Sequence, residues 1–172
     1  MIMPKGQQLL LPARPLFIAA SLLAALAFNM LPLGRVVWTP DLLLVLLAFW
    51  GVHQPQRVGM GVAFSLGVCM DVVQSALLGQ HALAYIALMY GAIYAHRRLL
   101  WFSVWPQALQ VLPLFVVAHA IELLLRLLTG GIVPGIEGLA APVLEALLWP
   151  LASWVLLAPQ RRPPEPDENR PL

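Results

Sequence analysis

Long apolar runs separated by short polar connections dominate the chain, and their spacing predicts six helices. The first covers Leu16–Leu31, broken only by Ser21 and Asn29. Lys5 and Arg14 precede it, and Ala25-Leu26-Ala27 resembles a secretory cleavage site, but the apolar run continues past it, which favours a retained helix. The second, Pro40–Val52, opens on Thr39-Pro40-Asp41: a capping residue, a proline in the first turn and an acid near the positive end. It spans only about 20 Å at 1.5 Å per residue, against a hydrocarbon layer of about 30 Å. It must therefore borrow Val36–Thr39, thin the bilayer or rest against neighbours. The third, Val58–Val73, carries Gly59, Ala63 and Gly67 on one row, with Asp71 as the next step. Small residues four apart admit a second helix closely, so this helix is expected to form an inner wall through a packing or partner face.

The fourth helix, Ala82–Ala95, ends in His96-Arg97-Arg98, and Leu99–Trp105 reads as an interfacial segment. The fifth, Pro106–Leu128, contains Pro113, and the sixth, Ala141–Ala158, contains Pro150; both prolines predict bends. Turn composition marks Pro32–Arg35, His53–Arg57, Gln74–His81 and the glycine-rich stretch Thr129–Gly138, which holds Pro134 and Glu137. The expected division is a lead-in at 1–14, a transmembrane domain at 15–158 and a disordered, proline-rich cytoplasmic tail at 159–172.

Composition supports lipid as the main solvent. Sixty per cent of residues are hydrophobic and 10% charged, against about 25% charged in soluble domains. The net charge of +2 does not imply nucleic acid, because the basic residues are dispersed through short loops. Lys5, Arg14, Arg57, Arg97, Arg98, Arg161, Arg162 and Arg170 fall on one side of a six-helix topology, and Arg35 and Arg126 on the other. The positive-inside rule then places both termini in the cytoplasm. Trp38 marks the outer boundary in this scheme, and Trp50, Trp101 and Trp105 the inner one. The lone Cys69 excludes an internal disulfide and reads as a small buried hydrophobe.

Asp71, Glu122 and Glu145 all fall in the outer half of this topology, where they could line a polar pocket, organise the outer turns or sit as separate acids. His119, Glu122 and Arg126 share one face of the fifth helix, and Glu122–Arg126 has the spacing of an ion pair. Glu145 could accept from Arg126, Arg35 or a backbone amide, and Asp41 has a local explanation at its helix start. His119 and Glu122 offer two metal ligands, but no third is fixed by spacing and HExxH is absent, so no metal or cofactor is expected. There is neither a GxxxxGK[ST] loop nor a GxSxG elbow, and the loops leave no room for a catalytic domain, so no catalytic residue is assigned.

Pro40-Asp41-Leu42-Leu43-Leu44, His53-Gln54-Pro55-Gln56-Arg57-Val58-Gly59, Asp71 followed by Leu77-Leu78-Gly79-Gln80-His81-Ala82-Leu83, and the stretch Pro142–Pro150 together resemble the MreD family of rod shape-determining proteins. The resemblance spans about residues 10–162. It implies a non-enzymatic subunit of the bacterial elongation machinery in the inner membrane. The implied partners are MreC, a peptidoglycan polymerase and its transpeptidase, with an indirect link to MreB. The same resemblance allows a second reading, a small-molecule-binding subunit like those of energy-coupling vitamin transporters, with Asp71, Glu122 and Glu145 as its site.

Overall fold

A computed structural model describes residues 13–31, 39–130 and 140–160, together with Gly135 and Gly138. Arg35, Trp38, Pro134, Glu137, most of the N-terminal lead-in and most of the tail lie outside the described residues. Within them the chain is all-helical: α1 Pro15–Asn29, α2 Leu42–His53, α3 Met60–Val73, α4 Gln80–Leu99, α5 Val104–Leu128 and α6 Ala140–Leu157, with a 3-10 turn at Ala158–Gln160. Two are long and apolar enough to cross a membrane, Val104–Leu128 and Ala140–Gln160. Both run unbroken through the prolines expected to bend them, Pro113 and Pro150.

Four helices close a ring in which α2 packs on α4, α4 on α5, α5 on α6 and α6 on α2. The ring's core is dominated by α2, whose Leu43, Leu44, Leu47, Phe49 and Trp50 are wholly buried. This answers the length problem of α2: the helix stays short because neighbouring helices rather than lipid surround it. Trp50 packs inside the bundle, where its indole Nε1 donates to Ser21 Oγ on α1 at 3.0 Å.

Helices α1 and α3 flank the ring, α1 principally on α2 and α3 on α4. The expected inner-wall role of α3 is thus corrected: it is a flanking helix, and one side does all its packing. Ala63, Gly67, Met70 and Asp71 are buried on that side, while Met60, Phe64 and Cys69 are exposed, so Cys69 is not the buried hydrophobe expected. Gly59 stands just before the helix with open space where a Cβ would project. Gly67 is the tight position. A Cβ there would lie 2.4 Å from Ala82 Cα and 2.7 Å from Ala82 N, so two backbones meet where no side chain fits.

Two helix starts and one helix end differ from expectation for local reasons. Asp41, not Thr39, is the N-cap of α2, because its carboxylate accepts from Leu44 N at 3.0 Å. Helix α4 begins at Gln80, entered through Gly79 at φ +100°, a conformation that favours glycine. It also continues through Arg97 and Arg98 into Leu99, placing those cations inside its last turn.

Candidate functional site

Polar side chains gather where α1, α3 and α5 finish and α2, α4 and α6 begin. They form two nodes, each centred on a carboxylate with no exposed surface.

The first node is Asp71, in the last turn of α3. Its Oδ2 accepts from Gly79 N at 2.8 Å, and its Oδ1 accepts from His81 N, also at 2.8 Å. His81 Nδ1 lies 2.8 Å from the same Oδ1. An ionised carboxylate only accepts, so Nδ1 is the protonated ring nitrogen in this geometry. Gly79 has no side chain to cap α4, and Asp71 supplies that cap from the preceding helix. The charge sits at the positive end of α4, where orphan N–H groups need acceptors. Gly67 lies one turn earlier on the same row, so close backbone approach and remote capping fix the α3–α4 corner together.

The second node is Glu145, in the second turn of α6. Its Oε1 accepts from Asp41 N at 3.1 Å, serving the N-terminus of α2. His119 Nε2 on α5 lies 2.9 and 3.1 Å from its two oxygens. The other imidazole nitrogen faces Glu122 Oε2 at 3.7 Å, so one ring stands between two carboxylates. Asp41 extends the node further: Asn29 Nδ2 on α1 donates to Oδ1 at 2.6 Å, and the Tyr85 hydroxyl on α4 donates to Oδ2. Five helices thus meet through Asp41, Glu145 and His119.

The expected Glu122–Arg126 ion pair is absent among the described residues. Arg126 instead bonds across to α4, where the Gln80 amide oxygen, turned toward it, accepts from Nε at 2.9 Å and Nη2 at 3.1 Å. The interhelical contact to a buried amide replaces the intrahelical one, leaving Glu122 to His119. Glu145 takes His119 and a backbone amide, not Arg126. Arg35, the other candidate, lies outside the described residues. Among the described residues Asp71 shares no hydrogen-bond partner with Glu122 or Glu145; the His81 and Tyr85 rings, one from each node, meet edge-on, 6.1 Å between centroids.

Sequence reasoning left Asp41 as an acid near the start of its own helix and gave no role to Asn29, Gln80, His81 or Tyr85. Two signals were available: polar residues interrupting apolar helices in Asn29 and Tyr85, and the Asp71–Gly79–His81 spacing, which suits a carboxylate folding back on a new helix start.

Chemically, the arrangement binds helices to one another. No cluster of three or more His, Cys, Asp or Glu suited to a metal occurs among the described residues. Two concavities, one along α1, α2 and α6 and one at Arg97, Arg98, Trp101 and Phe102, include none of Asp71, Glu122 and Glu145.

The family model described as rod shape-determining protein MreD matches residues 8–158. This chain belongs to the MreD family. A rod shape-determining protein MreD from Haemophilus influenzae is 31% identical over 129 residues, covering 73% of this chain and 76% of that protein. No solved structure matches. MreD-family proteins are membrane proteins with a role in rod shape, and both nodes described above fall inside the matched region.

Proposed function

We propose that this protein is a non-enzymatic, multi-pass inner-membrane subunit of the cell-elongation machinery. It maintains rod shape by binding MreC and, with it, the wall-synthesis polymerase and transpeptidase, with an indirect link to MreB. Both termini are cytoplasmic in this reading, and the two carboxylate nodes face the periplasmic end, as the distribution of Lys and Arg favours.

One observation carries the reading. The buried polar groups at the node end are consumed in helix-to-helix hydrogen bonds, while apolar side chains such as Phe64, Val72, Leu109, Val116 and Leu124 stand exposed on α3 and α5. Among the described residues the only buried side-chain polar atom without a partner is Ser153 Oγ. A bundle with its polarity locked inside and apolar faces outside suits lipid and partner helices better than a reaction. The transporter-like reading draws no such support, because its three acids already hold helix termini and a histidine.

Depletion followed by microscopy and affinity recovery tests this. Rounded cells, restored by the wild-type gene, and recovery of MreC from gently solubilised membranes are expected. Rods that persist on depletion, or membranes yielding no MreC, would contradict it. A green fluorescent protein fused to the C-terminus should fluoresce; a dark fusion at normal abundance would reverse the topology.

A further inference from the structure

At the opposite end from the nodes, α4 hands over to α5 in a corner held from three sides. Leu100 N, Trp101 N and Phe102 N bond back to the carbonyls of His96, Arg98 and Leu99, so the last turn of α4 needs no capping side chain. Gln107 Nε2 on α5 donates to Phe102 O at 2.9 Å, and Trp149 Nε1 on α6 donates to Gln107 Oε1 at 3.2 Å. The corner is thus tied to two helices of the ring.

On its outside lies an open concavity of about 510 Å³ lined by Arg97, Arg98, Trp101 and Phe102. Both arginines are exposed, and among the described residues neither has an acidic partner. Trp101 is 89% exposed and Trp105 73%, with Leu100 and Phe102 beside them. The two guanidiniums, without an acidic partner among the described residues, are open to an anion, and the exposed indole and apolar side chains next to them favour an environment that is not water. A phospholipid with an acidic headgroup meets both needs at one point: phosphate oxygens for the planar guanidiniums, and headgroup-level packing for the tryptophans. A soluble acidic peptide would satisfy the cations and leave Trp101 and Leu100 uncovered.

We propose that the α4–α5 corner is a binding site for an anionic phospholipid headgroup, gripped by Arg97 and Arg98 and bordered by Trp101. The proposal rests on the membrane reading above, on the cytoplasmic side of the bilayer. Each cation near an anionic surface contributes about fivefold to affinity, so the pair should give about a 25-fold preference over a zwitterionic lipid.

The test is native mass spectrometry of the full chain released from nanodiscs holding equal dioleoyl phosphatidylglycerol and dioleoyl phosphatidylcholine. Wild type should retain phosphatidylglycerol about 25-fold more often. The double variant Arg97→Gln/Arg98→Gln should fall to within about twofold of parity, while Arg14→Gln, an exposed cation elsewhere on the same side, keeps most of the preference. An unchanged double variant overturns the site, including the case in which the tail acids Glu165, Asp167 and Glu168 occupy the corner instead. Equal loss in Arg14→Gln also overturns it, by showing only diffuse charge. Failure of wild type to enter nanodiscs overturns the membrane reading as well, whereas entry without preference overturns this proposal alone.

Discussion

Asp71 and Glu145 are both carboxylates with no exposed surface, and both serve the N-terminus of a helix other than their own. What surrounds them differs. Asp71 acts over ten residues of chain: its partners are the backbone of Gly79 and His81 and the His81 ring. Glu145 acts over long separations, reaching Asp41 on α2 and His119 on α5. The first shapes one corner; the second joins α6 both to the neighbouring α5 and to the distant start of α2. The same side-chain chemistry therefore makes a local turn in one place and a tertiary clasp in the other. The difference lies in the donors, two of them backbone amides for Asp71, one amide and an imidazole for Glu145.

That contrast can be broken by substitution, beginning with the largest effect. Asp71→Ala leaves the half-buried Gly79 N–H, the buried His81 N–H and the His81 ring nitrogen without an acceptor, and should cost about 3–5 kcal/mol in mixed-micelle unfolding. A loss below about 1 kcal/mol would mean that water reaches Gly79 and His81 and that the cap is not needed. Gly67→Ala should cost about 1–3 kcal/mol, because its Cβ meets the backbone of Ala82 and not a flexible side chain. Gly67→Leu should go further and separate α3 from α4, so a loss of MreC recovery in that variant would follow from misfolding; a normally folded Gly67→Leu protein would contradict the close approach.

Glu145→Gln keeps an oxygen for Asp41 N but removes the charge beside His119. It should cost about 1–3 kcal/mol, less than Asp71→Ala, with α5 and α6 loosening first in amide hydrogen exchange. Uniform exchange across all helices would argue against a clasp between particular helices. Glu122→Gln should be the mildest, about 1 kcal/mol, because the amide is isosteric and the His119 nitrogen it faces is 3.7 Å away, beyond hydrogen-bond reach. A loss matching that of Glu145→Gln would make the two acids equal partners of His119 and erase their distinction.

The helices were legible in the sequence because a lipid-like environment demands long apolar runs, and each run became a helix with ends shifted by a few residues. The shifted starts of α2 and α4 trace to their caps: Asp41 caps α2 in place of Thr39, and Asp71 caps α4 from the preceding helix, where a scan for local start signals does not look. The close approach at Gly67 was legible as a small-residue row, but not which neighbour it admits; α4 fills it. The acids were legible as a group at one end. Their partners were not, because Glu145–His119 and Arg126–Gln80 depend on how α4, α5 and α6 pack, and spacing along α5 alone favoured the wrong pair.

The separation of the two nodes can be measured directly by a double-mutant cycle between Asp71→Ala and Glu145→Gln in mixed-micelle unfolding. Among the described residues Asp71 and Glu145 share no hydrogen-bond partner. Their losses should therefore add to within about 0.5 kcal/mol. Coupling above about 1 kcal/mol would instead place both carboxylates in one network or one shared cavity, and would contradict the division into a corner and a clasp.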